Sequence, residues 1–161
     1  MSIKESDSEN QFLKPGELII AKKPTVVTTI LGSCVTITFF NPRLQIGAIC
    51  HAMQPTAPSN VEESDRFKYV DCSINHMLEK MHDFGLKTQE IDVKVFGGAN
   101  MFSQQKTPNV LDIGKQNITS AIKTLENYKM RVVASNVLGK TGRKLLFHTY
   151  SGEVYLKRLK K

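Results

Sequence analysis

The stretch "TTILGSCVTITFFNPRLQIGAICHAMQP", residues 28–55, decides the fold. "CVTITFF" is β-branched and aromatic, "NPRL" is made of turn formers, and "QIGAICHAM" resumes the apolar run, which together spell a β-hairpin. With the turn at residues 41–44, paired positions sum to 85, as Cys34 and His51 do. Directly opposed residues of an antiparallel pair hold their Cβ atoms about 4.5–5.5 Å apart, so this register brings the thiol and the imidazole together. Alternation puts Cys34, Thr36, Thr38, Ile49 and His51 on one face. Val35, Ile37, Phe39, Ile46, Ala48 and Cys50 share the other, which is almost wholly apolar. Cys50 then reads as a small core hydrophobe and Cys34 as an available thiol. Gly32 and Ser33 make a tight entry into the strand, where backbone N–H groups can approach a developing oxyanion. The Thr28 hydroxyl, six residues before Cys34, is the expected partner of the second imidazole nitrogen.

Outside the hairpin, "GELIIAKK" and "TVVTTIL" predict two strands ahead of it. Residues 57–67 are polar and loop-like, and the next segment sets Val70, Ile74, Met77, Leu78 and Met81 at helical spacing before a stop at Gly85. "IDVKVFGGAN" predicts a strand running into a glycine turn, and Ile118, Ala121, Ile122 and Leu125 mark one face of a second helix. "MRVVASNVL" supplies a further strand, and "KLLFHTY" and "EVYLKRL" a hairpin closed by a two-residue turn at "SG". Strands with two helices inserted argue an α+β fold, a layered sheet and helix sandwich that is mostly antiparallel. Residues 1–13, polar and acidic in patches, read as a flexible N-terminal arm, and 14–161 as a single domain.

A chain of 161 residues, 40% hydrophobic, is long enough for one domain with a proper core and lacks the bias of a disordered or fibrous protein. The net charge of +7 comes from scattered lysines, with only "LKRLKK" clustered, so a solvated basic surface is expected rather than a nucleic-acid-binding one. "MSIKESDSENQFL" has no signal-peptide pattern and no apolar run is long enough to cross a bilayer, so a cytoplasmic protein without membrane insertion is expected. Three cysteines with no C-x-x-C pair fit free thiols in a reducing compartment.

Two weaker patterns compete. Cys72 and His76, four apart on the first helix, have a metal-compatible spacing that Cys34, Cys50 or His51 would complete, but no paired-ligand motif accompanies them, so no metal is expected. "FGGAN" lacks the lysine of a phosphate loop and the spacing of a dinucleotide fingerprint, which leaves a structural turn and no expected cofactor.

The residues resemble the chemoreceptor glutamine deamidases of the CheD family. "TTILGSCVTITFFNP" and "GAICHAM" resemble its nucleophile and base motifs, "RFKYVD" the start of its first helix, "KVFGGANMF" and "IGKQNI" its middle signatures, and "GRKLLFHTYSGEVYLKRL" its end. The resemblance implies a CheD-like cysteine hydrolase with a Cys–His–Thr triad, carried here by Cys34, His51 and Thr28. It implies that Cys34, as a thiolate stabilised by His51, attacks a glutamine carboxamide, with backbone donors near Ser33 and Cys34 holding the oxyanion. Ammonia leaves, and water then resolves the thioester to glutamate. The implied substrates are glutamines on the cytoplasmic helices of chemotaxis receptors, with glutamyl methyl esters open to the same route, and the implied partner is a CheC-type phosphatase. The sequence departs from the family pattern at Gln54, where an apolar residue is expected, and at Leu138, where a second glycine is usual. The alternatives are a papain-like cysteine protease, which would use the same nucleophile and base, a non-catalytic adaptor, which would keep the fold and could lose the triad, and a dual-role regulatory partner of a CheC-type phosphatase.

Overall fold

The structure, a computed structural model, describes residues 8–101 and 112–160. Among these residues nine strands run in chain order: β1 (Glu9–Phe12), β2 (Leu18–Ala21), β3 (Thr25–Leu31), β4 (Val35–Asn41), β5 (Ile46–Cys50), β6 (Asp92–Gly97), β7 (Val132–Val137), β8 (Arg143–His148) and β9 (Val154–Arg158). Helix α1 (Val70–Asp83) precedes β6, and helix α2 (Ile113–Asn127) follows it. These strands form two sheets, β1-β3-β8-β9 and β2-β5-β4-β6-β7, with β1–β3 and β6–β7 paired parallel and the other neighbours antiparallel. The α+β, mostly antiparallel expectation holds.

The layers follow from the alternation of side chains. Val35, Ile37, Phe39, Ala48, Cys50, Val93 and Val95 form one core with Ile74, Met77, Met81, Ala121 and Leu125 of the helices. The opposite face of the same sheet packs on the first sheet, Ile49 against Leu13, Val27 and Phe147, and Phe96 against Leu31 and Leu145. Strand β4, in the middle of its sheet and covered on both faces, is buried at all seven positions. That is why "VTITFF" reads as a nearly continuous apolar run.

Three expectations change. The β4–β5 hairpin pairs Asn41 with Ile46 and Phe39 with Ala48, so paired positions sum to 87 rather than 85 and the loop is Pro42–Gln45. Asn41 remains in the ladder, and its Oδ1 accepts the Leu44 N–H at 2.8 Å, closing the loop one residue later than expected. The β8–β9 connection is the five-residue stretch Thr149–Glu153, not a two-residue turn, because Thr149 leaves the ladder to exchange hydrogen bonds with Thr25 of β3. Finally, residues 9–12 of the expected N-terminal arm are strand β1, and Leu13 is fully buried between the sheets. All four β1 side chains are exposed, so main-chain pairing alone makes this strand and no alternation announces it. Residues 1–7 of the arm lie outside the described residues.

Candidate active site

A register that slips by two residues preserves faces, because side chains alternate with period two. Cys34 and His51 therefore still share the face toward the first sheet, but as diagonal rather than directly opposed neighbours. Diagonal cross-strand pairs lie about 7–8 Å apart at the backbone, within reach of side chains as long as these. Continuing the register places Thr36 opposite His51, and its buried hydroxyl has no hydrogen-bond partner among the described residues.

His51 follows the last residue of β5 and is clamped by its own backbone. Its N–H donates to the Glu17 carbonyl at 3.2 Å, and its carbonyl accepts from Gly16 N–H at 2.8 Å. The ring is buried, with Nδ1 2.8 Å from Oγ1 of Thr29. The same Thr29 hydroxyl donates to the carbonyl of Leu13 at 2.8 Å. A hydroxyl has one proton, so Thr29 accepts from Nδ1–H and leaves Nε2 unprotonated. The residue oriented on His51 is thus Thr29 and not Thr28. In β3 the buried face carries Val27, Thr29 and Leu31, while Thr28 shares the other face with the exposed Ile30. The two faces have the same apolar–threonine–apolar make-up, which is why the local pattern does not choose between them.

Burial lowers the His51 pKa to about 4, with hydrogen bonding to the Leu13 backbone opposing it in part, so the imidazole is neutral near pH 7. Burial also pushes the Cys34 thiol above its ordinary value. Desolvation thus works against both the thiolate and the imidazolium. Cys50 lies in the core facing the helices, its pKa pushed up by burial to about 12.

Cys34 sits just before β4, on a loop whose carbonyls are tied down in succession. Gly32 O accepts from Ala99 N–H at 3.1 Å, Ser33 O from Nδ2 of Asn117 at 3.0 Å, and Cys34 O from Gly98 N–H at 2.9 Å. The donors are the turn after β6 and helix α2, so "FGGAN" is structural, as expected, yet it shapes the site. Gly32 and Ser33 themselves thus contribute held carbonyls, and Asn117, inside the "IGKQNI" segment, is a contributor to which no site role was assigned from the sequence.

Of the other candidates, His76 packs its ring against Phe67 at 4.8 Å between centroids, and no group of three His, Cys, Asp or Glu residues gathers as a metal set among the described residues. A cavity of about 930 Å³ between α1 and α2, lined by Pro55, Asp71, Cys72, Lys115, Ser120 and Tyr128 among others, contains neither Cys34 nor His51.

Residues 53–158 match the family model described as CheD chemotactic sensory transduction. This chain belongs to the CheD family. It is 41% identical to a protein of Maridesulfovibrio salexigens named "Probable chemoreceptor glutamine deamidase CheD", over 98% of this chain and 96% of the relative. It is 45% identical to "Probable chemoreceptor glutamine deamidase CheD 2" of Geobacter sulfurreducens, over 92% and 89%. These two CheD alignments extend well beyond residues 53–158, taking in nearly the whole chain.

Proposed function

We propose that this CheD-family chain is a chemoreceptor glutamine deamidase in which Cys34 is the nucleophile, His51 the base and Thr29 the residue that orients the base. The observation that carries this is the Leu13–Thr29–His51 chain of hydrogen bonds, which leaves a neutral Nε2 on the face that Cys34 shares. Nε2 takes the thiol proton as Sγ attacks the carboxamide carbon of a substrate glutamine, and the carbonyl π electrons move to oxygen. The tetrahedral intermediate collapses as His51 returns the proton to the departing ammonia, leaving a thioester. His51 then takes a proton from water, whose oxygen attacks the thioester, and glutamate and the thiol are released. A glutamyl methyl ester follows the same route with methanol leaving.

The proposed substrates are glutamines on the cytoplasmic helices of chemotaxis receptors, met in the cytoplasm, and the proposed partner is a CheC-type phosphatase. Incubation with a receptor cytoplasmic fragment is expected to raise the mass of specific glutamine peptides by about one dalton each, as hydrolysis of amide to acid requires. Cys34→Ala abolishes the change, whereas Cys50→Ala lowers stability and retains turnover. An active Cys34→Ala variant would remove the proposal.

A further inference from the structure

Asn117 is fully buried on α2, yet only half of its amide is satisfied. Nδ2 donates to Ser33 O at 3.0 Å and to Met53 O at 3.1 Å, while Oδ1 has no partner among the described residues. Both neighbours are carbonyls, so the NH2 end must face them. A buried amide oxygen without a donor is unfavourable, and a position serving packing alone would be better filled by an apolar side chain. The two donors are what this position supplies. One acts on the residue before Cys34, the other on the second residue after His51, so a single side chain ties the nucleophile loop to the base strand.

The consequence for the reaction follows from peptide geometry. A trans peptide holds its C=O and N–H antiparallel, and no peptide bond among the described residues is cis. Ser33 C=O directed at α2 therefore directs the N–H of Cys34 away from α2. That N–H makes no hydrogen bond to another described residue, whereas the next one, Val35 N–H, is used by Ala52 O at 3.0 Å. The frame behind it is stiff. A Cβ on Gly114 would lie 2.5 Å from the carbonyl oxygens of Gly98 and Ala99, so α2 docks backbone to backbone on the turn that also holds Gly32 and Cys34.

We propose that Asn117 is a positioning residue that aims the Cys34 N–H as an oxyanion donor. This rests on the assignment of Cys34 as nucleophile made above, and the test separates the two. Acylation of Cys34 by p-nitrophenyl acetate passes through a tetrahedral oxyanion, whereas alkylation by iodoacetamide displaces iodide at a saturated carbon and forms none. Asn117→Ala is expected to slow acylation about 10- to 100-fold while alkylation stays within about two-fold, and to lower kcat on the receptor fragment with KM unchanged. Ser120→Ala removes a neighbouring α2 hydrogen bond, from its Oγ to Pro55 O at 2.6 Å, and is expected to change neither rate. Equal slowing of both reactions, slowing of neither, or the same split for Ser120→Ala overturns the proposal. Should Asn117→Ala fail to fold, the wild-type protein decides. Addition of Cys34 to a peptide aldehyde forms a hemithioacetal, and the Cys34 amide is expected to become protected from hydrogen exchange. An amide exchanging as fast as before overturns the proposal. If the acylation and alkylation split appears but no receptor fragment is deamidated, the deamidase assignment fails and the role of Asn117 stands.

Discussion

At the scale of single residues, the site turns on one hydroxyl proton. Thr29 spends it on Leu13 and so fixes His51 with Nε2 free. Thr29→Val keeps the β-branched shape and deletes the hydroxyl, leaving the tautomer unassigned. Turnover should fall on the order of 10- to 100-fold, a barrier increase of about 1.4–2.7 kcal/mol, whereas Thr28→Val stays within about two-fold. Steady-state deamidation of a receptor fragment by both variants checks this, and the reverse ranking would return the orienting role to Thr28. The neutral imidazole also has a pH signature. His51 has a folded pKa of about 4 against an ordinary value of 6.5, so between these pH values the unfolded chain binds the proton and the folded one does not. Stability from this group is fully present above pH 6.5 and is lost as pH falls toward 4, by up to about 3 kcal/mol. Urea melts across this window should show a steeper decline for wild type than for His51→Gln. Parallel curves would mean that His51 is charged in the folded protein.

At the scale of elements, the residues around the nucleophile are arranged by short connections whose backbone is unusual. Leu138, where the family pattern has glycine, stands at φ +67° just before Gly139 at φ +82°. A leucine in this region is strained by about 1–2 kcal/mol, and glycine removes the strain while adding about 0.5–1 kcal/mol of unfolded-state freedom. The side chain is 40% exposed, so its removal forfeits only part of a leucine's burial, about 1–2 kcal/mol. Leu138→Gly should therefore leave stability within about 1 kcal/mol of wild type in a urea melt, the relieved strain offsetting the lost packing. A larger loss of stability would show that the leucine side chain holds a contact worth more than the strain. The hairpin shows what a turn can change without harm. Asn41 moves the loop one residue along, every cross-strand partner moves by two, and no side chain changes face.

At the scale of the whole molecule, the docking of α2 on the sheet joins fold and site. Gly98 and Gly85 both have positive φ, +71° and +83°, so alanine strains the backbone at either. Only at Gly98 does the new Cβ also meet the Ile118 side chain and the Gly114 carbonyl, whereas nothing lies within 4 Å at Gly85. Gly85→Ala should cost about 1 kcal/mol and leave kcat unchanged. Gly98→Ala should cost about 3 kcal/mol or more and reduce kcat, because α2 must shift and carries Asn117 with it. Thermal melts and turnover on the two variants check this, and equal behaviour would mean that α2 adjusts without consequence for Cys34.

The sequence by itself determined which side chains share a face. The period of two in "CVTITFF" and "AICHAM" is local, it survives a register error of two, and it was enough to place Cys34 with His51 and Cys50 with the helices. The helical spacing of Val70, Ile74, Met77 and Met81 is local in the same sense. Only the tertiary structure decided between Thr28 and Thr29, because the two faces of β3 are alike in composition and what distinguishes them is the second sheet lying over one of them. The same holds for β1, whose exposed side chains carry no pattern and whose pairing is made by backbone that every residue has. Asn117 and Ser33 are 84 positions apart and meet because two glycine backbones touch, a contact between elements that no periodicity within either can express. The direction of both pKa shifts was likewise set by packing, since a thiol and an imidazole keep their ordinary pKa values until the surrounding layers take the water away.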